Sequence, residues 1–291
     1  MEVKNIVNMN GGTGEMSYAQ NSAFQNALQS IAKPIVKDAT LDLCRTTNIP
    51  ECFCIAELGC SSGPNALFMV SEIINTVSER CLHLGLPSPE FLVPEGLNAS
   101  DNTSLNKGRV YISKASPPSV FQAYLAQFQS DFSQFLKSRS KEIVIGGHMV
   151  LTFMCRKTAD ASNEESSYMW DLLTLSLNDL VSEGLIEEEK VDSFNAPYFA
   201  PSLEEINMEI QKEESFSLDC MKMIETDWDT IDGYSTGQEK AKPLRAALET
   251  MLVNHFGEEI MDQLFEKMGK IAESMKRPKF TDVVISMIRL G

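Results

Sequence analysis

The chain has 291 residues, enough for one large domain or two small ones and for a substantial core. Hydrophobic residues make up 43% and charged residues 23%, an ordinary globular balance. The formal net charge of -16 repels phosphate backbones and so argues against nucleic acid as a partner. No apolar run is long enough to cross a bilayer and no basic, apolar leader opens the chain, so a soluble cytoplasmic protein is the expectation.

Taken in chain order, a glycine-bearing start precedes a helix predicted over 22–43, with Pro34 as a kink. FCIAEL at 53–58 reads as a buried strand, GCSSGPN as a turn, and ALFMVSEIINTVSERCLHLG as an amphipathic helix that stops at Gly85. EFLV at 90–93 and VYIS at 110–113 are further strand candidates. A long helix from 116 to 144 carries an aromatic stripe of Phe121, Tyr124, Phe128, Phe132 and Phe135, whose helical spacing marks core packing. HMVLTFMC after Gly147 reads as a strand.

From 164 onward the pattern turns helical. YMWDLLTLSLNDLVSEG stops at Gly184, and Ser202 with Glu205 has capping-box spacing. PLRAALETMLVNHFG and EEIMDQLFEKMGKIAESM are two more helices, and KFTDVVISMIRL closes the chain as a strand. The pattern predicts an α/β fold: a doubly wound, Rossmann-like parallel sheet with a helical cap. The expected division is an α/β core over 1–160, a mainly helical cap over 161–278 and a last strand over 279–291 that returns to the core. Only four or five strands are convincing, fewer than the five to seven such a sheet normally has.

The seven cysteines are odd in number and scattered through apolar stretches, which suggests reduced thiols. Cys52 and Cys54 have no second pair at zinc spacing.

The loop AELGCSSGPN at 56–65 carries the strongest chemical signal. Glu57 ends the strand, and Gly59 and Gly63 follow. A strand that turns tightly into a helix aims backbone N–H groups at a ligand, and glycine permits close approach. An acidic side chain there accepts hydrogen bonds from an ammonium group. The same residues fit G-x-S-x-G, a hydrolase nucleophile elbow with Ser61 as nucleophile. Only one strand precedes this elbow, no HGGG-like segment is present, and His83, His148 and His255 each have a simpler structural role.

MNGGTGEMSYAQNS, AELGCSSGPN, NKGRVYIS, QFQSDFSQFLKSRSKEIVIGGHMVL, LVSEGLIEEEKVDSFNAPY and the late HFGE, in that order, resemble the SABATH family of plant methyltransferases over essentially the whole chain. That family transfers a methyl group from S-adenosylmethionine to carboxyl groups of salicylate, benzoate or jasmonate, or to ring nitrogens of xanthines in the caffeine pathway. The resemblance implies a doubly wound sheet with a helical cap, usually as a homodimer.

It also implies residue roles. Tyr18, Ser22, Glu57, Cys60 and Asn65 match the cofactor site, with glutamate at 57 where most relatives have aspartate. Tyr18, Gln25 and Trp170 match acceptor contacts, Gln25 as a hydrogen-bond donor to the carboxylate and Trp170 as a wall. Asn106, Asp192, Phe194 (through its carbonyl) and Asn195 match a metal site of some relatives, whose oxygen ligands suit Mg2+ or sodium. FNAPY and the closing ISMIRLG lean toward a carboxyl O-methyltransferase; MVLTFMCRK leans slightly toward a xanthine N-methyltransferase, which stays as the alternative.

One departure is large. The family's acidic NDLP, GSFYGRLFP and SSYSLHWLS segments are absent, because Val93 runs straight into Pro94. They normally serve the ribose, the adenine and the acceptor. The expectation is that the working protein contains them between Val93 and Pro94.

Overall fold

The structure is a computed structural model that describes residues 14, 17, 20–46, 104–227 and 234–291, with the side chains of 24–26, 40–46 and 164 excepted. Among the described residues three strands form one sheet: β1 (His148–Met154), β2 (Phe216–Thr226) and β3 (Phe280–Arg289), in the order β1-β3-β2. Both outer strands run antiparallel to β3, with Leu151 opposite Ile285 and Met223 opposite Val283. β1 and β2 therefore point the same way with β3 reversed between them, as in doubly wound sheets that include an antiparallel strand. The strands predicted at 53–58 and 90–93 lie outside the described residues.

β3 is central because its sequence suits neither face to water. Val283, Ile285 and Met287 join one apolar cluster, while Phe280 and Val284 join another on the opposite face. The helices sort accordingly. Phe132 and Leu136 of α2 (Pro118–Glu142) and Ile206 and Ile210 of α5 (Leu203–Glu213) cover the first face. Leu28 and Ala32 of α1 (Ala23–Thr46) and the leucines of α3 (Glu164–Ser182) belong to the second cluster. The sheet thus lies between two helical layers.

Helix boundaries follow local chemistry. Pro118 at N1 starts α2, which ends at Glu142, two residues short of the predicted end. The α2 stripe serves both cores, Val120 and Tyr124 in one and Phe132 and Leu136 in the other. Asn163 caps α3 by accepting from the N–H of Ser166 at 2.9 Å. α3 closes in a Schellman pattern: Leu185 N–H donates to Leu180 O, Gly184 N–H donates to Val181 O, and Gly184 takes φ 71°. The Ser202–Glu205 capping box forms both of its hydrogen bonds at the start of α5.

Three expectations are corrected. VYIS is not a strand: Val110 N–H donates to Thr174 Oγ1, Val110 O accepts from Ala196 N–H, and Tyr111 O accepts from the Asn106 amide. Its buried backbone is satisfied by side chains and a turn rather than by a ladder. β2, in the span read as mainly helical, belongs to the sheet; its alternation is broken by an irregularity between Leu218 and Cys220. The helix predicted from Pro243 begins at Gly237, where Thr236 and Glu239 form a second capping box.

After the short α4 (Glu188–Ser193), the cap continues with α6 (Gly237–Phe256) and α7 (Met261–Ser274). These last two cross closely: a Cβ at Gly237 would lie 1.9 Å from the Gly269 carbonyl oxygen. Gly237→Ala is therefore expected to cost about 1–3 kcal/mol by overpacking, although alanine is the better helix former. A melting temperature at or above that of the parent would show that α6 and α7 separate without penalty.

Candidate active site

The expected donor side begins at the N-terminus of α1. Ser17 N–H donates to Gly14 O at 2.9 Å, and the Asn21 side-chain amide donates to Ser17 O at 2.8 Å. This turn buries Ser17, Asn21 and Ser22 directly before the helix. The Ser17 hydroxyl has no hydrogen-bond partner among the described residues. A buried hydroxyl in need of a partner suits a polar ligand such as S-adenosylmethionine. Tyr18, Glu57, Cys60 and Asn65, and the side chain of Gln25, lie outside the described residues.

On the expected acceptor side, Trp170 is 3% exposed. Its ring centroid lies 5.7 Å from that of Tyr111 and 5.5 Å from that of Tyr198. Tyr124 meets Tyr111 edge-on at 5.4 Å and donates its hydroxyl to Ala196 O at 2.9 Å. Trp170 Nε1 is buried without a hydrogen-bond partner among the described residues. Burial pushes the phenols of Tyr111, Tyr124 and Tyr198 up, so these rings are neutral walls rather than proton acceptors. The sequence singled out Trp170 alone; Tyr111 and Tyr198 lie in the matched NKGRVYIS and FNAPY motifs.

A small cavity of about 10 Å³ lies where α3, α6, α7 and β3 converge. Tyr168, Leu172, Leu244, Ala272 and Phe280 form its apolar wall, and Lys240 and Arg277 also line it. It has room for roughly one water.

The residues matched to a metal site do not fit a metal as they stand. Asn106 Oδ1 accepts from the Ser116 hydroxyl at 2.6 Å, and its Nδ2 donates to Arg109 O and Tyr111 O. Asp192 Oδ1 accepts from Gly108 N–H at 2.6 Å, while Lys107 Nζ lies 3.7 Å from Asp192 Oδ2 and 3.2 Å from Glu188. The lysine ammonium already supplies positive charge there. The buried Asn195 Oδ1 has no hydrogen-bond partner among the described residues, but Phe194 buries its ring against His255 and Phe256. These contacts bolt the 104–116 loop to the 192–196 turn directly. Among the described residues no cluster of three His, Cys, Asp or Glu could hold an ion, and no helix is long and apolar enough to cross a membrane. Cys155 and Cys220 are free thiols.

The fold is shared with a solved methyltransferase. The structure of a loganic acid methyltransferase with SAH matches with a TM-score of 0.87 and 26% identity, covering 97% of this chain and 99% of that one. Fold and family define a methyltransferase that uses S-adenosylmethionine. The family described as SAM dependent carboxyl methyltransferase matches over residues 4–93 and 92–290. The chain belongs to this family, the SABATH methyltransferases.

Among curated relatives, the probable jasmonic acid carboxyl methyltransferase 1 of Theobroma cacao is 40% identical, covering 100% of both chains. A 3,7-dimethylxanthine N-methyltransferase of Camellia sinensis var. assamica is 32% identical, covering 99% of this chain and 98% of that one. The family match breaks at residues 92 and 93, the junction singled out in the sequence. The Theobroma alignment spans 374 positions, 83 more than the 291 residues of this chain.

Proposed function

We propose that this enzyme methylates the carboxyl group of a small plant acid of the jasmonate, salicylate or benzoate type. The observation that supports this reading most is the 40% identity, over the full length, to a relative named for jasmonic acid; the relative named for a xanthine is 32% identical. Xanthine N-methylation is the second reading. The division into an α/β core over 1–160, a mainly helical span over 161–278 that also lends β2 to the sheet, and a returning strand over 279–291 is part of this proposal, as is a homodimer. Magnesium is not, because the lysine and backbone partners already engage Asn106 and Asp192.

Bound S-adenosylmethionine supplies an electrophilic methyl group. Ser22 and, outside the described residues, Tyr18, Glu57, Cys60 and Asn65 would hold it. A carboxylate acceptor is already ionised at neutral pH, so the chain needs no general base. Gln25 would orient the carboxylate through an N–H donor. The methyl group would pass from the sulfonium sulfur to one carboxylate oxygen, so that opposite charges would cancel and leave a neutral thioether and a neutral ester. Charge is lost along this path, so an apolar, water-poor setting favours it over bulk water. The Tyr111–Trp170–Tyr198 cluster would back the acceptor wall and exclude that water.

Titration calorimetry with S-adenosylmethionine, followed by methyl-donor assays on salicylate, benzoate, jasmonate and xanthines, tests the proposal. The expected result is cofactor heat and ester formation with at least one acid. No heat would sink the proposal, and turnover on xanthines alone would establish the second reading.

A further inference from the structure

The Trp170 indole is 3% exposed, yet its Nε1–H has no hydrogen-bond acceptor among the described residues. Native interiors leave few donors unpaired at that depth, because each one destabilises the fold. The aromatic neighbours do not relieve it. Tyr124 donates its hydroxyl to Ala196 O at 2.9 Å, Tyr198 donates to Met154 Sδ at 3.6 Å, and the Tyr111 hydroxyl meets the backbone of Ala200. All three phenols are engaged away from the indole. A ring without an N–H would pack here at lower cost, so the donor points to an acceptor that comes from outside the chain.

Trp170 also lies close to where the reacting carboxylate would sit. Leu28 follows position 25 by three residues, so the two share a face of α1, and Leu28 belongs to the same apolar cluster as Trp170, Tyr111 and Tyr124. That face is the one from which Gln25 would orient the carboxylate. The cluster reaches the protein surface at Tyr198, which packs 5.5 Å from the indole ring and is only partly buried. The surroundings of the indole suit a neutral oxygen rather than a second anion. The neighbouring phenols are held neutral by burial, and Arg156, whose charge reaches Tyr111, is already paired with Glu205. An anion set among these rings would lose its hydration without gaining a cation.

We infer that Trp170 Nε1–H donates a hydrogen bond to a second, neutral oxygen on the acceptor, a ketone or hydroxyl set apart from the reacting carboxylate, so that oxo- and hydroxy-acids are preferred over acids with a purely hydrocarbon body. This inference rests on the methyl-transfer reading above. The indole keeps its proton and the second oxygen stays unmodified; only the carboxylate receives the methyl group. Trp170 thereby sets specificity and takes no part in the bond changes.

The test compares 3- and 4-acetylbenzoate with 3- and 4-isopropenylbenzoate, which match them in shape but carry CH2 in place of the ketone oxygen. The kcat/KM of the better acetyl acid is expected to exceed that of its isopropenyl counterpart by about ten-fold or more. Trp170→Phe is expected to bring that ratio close to one, and Trp170→His, which keeps an N–H donor on a smaller ring, to retain part of it. A second readout needs no variant at position 170. The chain has two tryptophans, Trp170 and Trp228, so 15N-labelled indole gives two N–H signals by NMR, which Trp228→Phe assigns. With SAH bound, the Trp170 signal is expected to move downfield on addition of the acetyl acid and to move less with the isopropenyl acid. A parent ratio near one, a ratio unchanged in a folded Trp170→Phe, or a Trp170 signal that moves no further with the acetyl acid overturns the inference, the N–H being then met by water alone. A signal that separates the two acids supports the contact even without turnover, whereas cofactor binding with no ester from any acid counts against the methyl-transfer reading instead.

Discussion

Asp282→Asn is expected to raise the stability of this chain above pH 7 and to change it little, or unfavourably, near pH 5. Asp282 lies on the central strand β3 and is 1% exposed. Neither carboxyl oxygen has a hydrogen-bond partner among the described residues. In register it lies between Met154 and Ile224. The titratable groups that feel its charge are Cys155 and Tyr198, both themselves pushed up by burial. Burial alone raises the carboxyl to about 7, against an unfolded value of about 3.9.

The direction follows from proton counting. Between about pH 4 and pH 7 the folded chain keeps a proton that the unfolded chain has released. Stability contributed by the neutral carboxyl is therefore lost as pH rises through that window, by up to about 4 kcal/mol, and the loss levels off above it. Asparagine keeps the shape and cannot ionise, but its buried amide costs about 1–3 kcal/mol if it too lacks partners. The net gain expected at pH 8 is about 1–3 kcal/mol. Urea unfolding of parent and variant at pH 5 and pH 8 measures it. Two parallel stability–pH curves would mean that Asp282 finds a partner when charged.

The second large effect is expected at Arg156. Its side chain is completely enclosed, ion-pairs with Glu205, and donates to the carbonyls of Ala200, Thr158 and Ala159. The guanidinium also lies 5.1 Å from the Phe199 ring centroid and 5.5 Å from that of Phe121. It ties the exit of β1 to the capping box of α5, because Glu205 also accepts from Ser202 N–H. Arg156→Met leaves the Glu205 carboxylate buried without its cation and is expected to cost about 3–5 kcal/mol.

Adding Glu205→Gln removes the stranded charge while a glutamine can still complete the capping box. The double variant is expected to recover about half of the loss, read from midpoints of denaturant unfolding. If the double variant is no more stable than Arg156→Met, the loss came from packing against Phe121 and Phe199 rather than from the charge.

These two sites show where the sequence was readable. Features set by residues within one turn of each other came through: the Ser202–Glu205 box, the Gly184 stop and the apolar run of β3. The Thr236–Glu239 box carries the same local signal, but Pro243 masks it by resembling a helix start, although the helix tolerates it in its second turn. β2 escaped because the irregularity near Cys220 breaks its period-two pattern. VYIS has strand-like composition, but its partners are Thr174, Ala196 and Asn106, which local spacing does not reveal. The Arg156–Glu205 pair, the aromatic cluster around Trp170 and the cavity cations all join residues distant in the chain. The donor loop was legible as chemistry only in outline, and its assignment came from several motifs in order.

The topology of β3 also bears on how the chain is made. β1 is complete at Met154, yet β3, the strand that covers its edge, is synthesised after β2 and the helices α3 to α7. Until then Leu151, Phe153, Met221 and Met223 lack the Val283–Ile285–Met287 row that the finished core packs against them. From the end of β1 to the arrival of β3 the nascent chain therefore presents half-built strands, a stage at which chaperones hold the advantage.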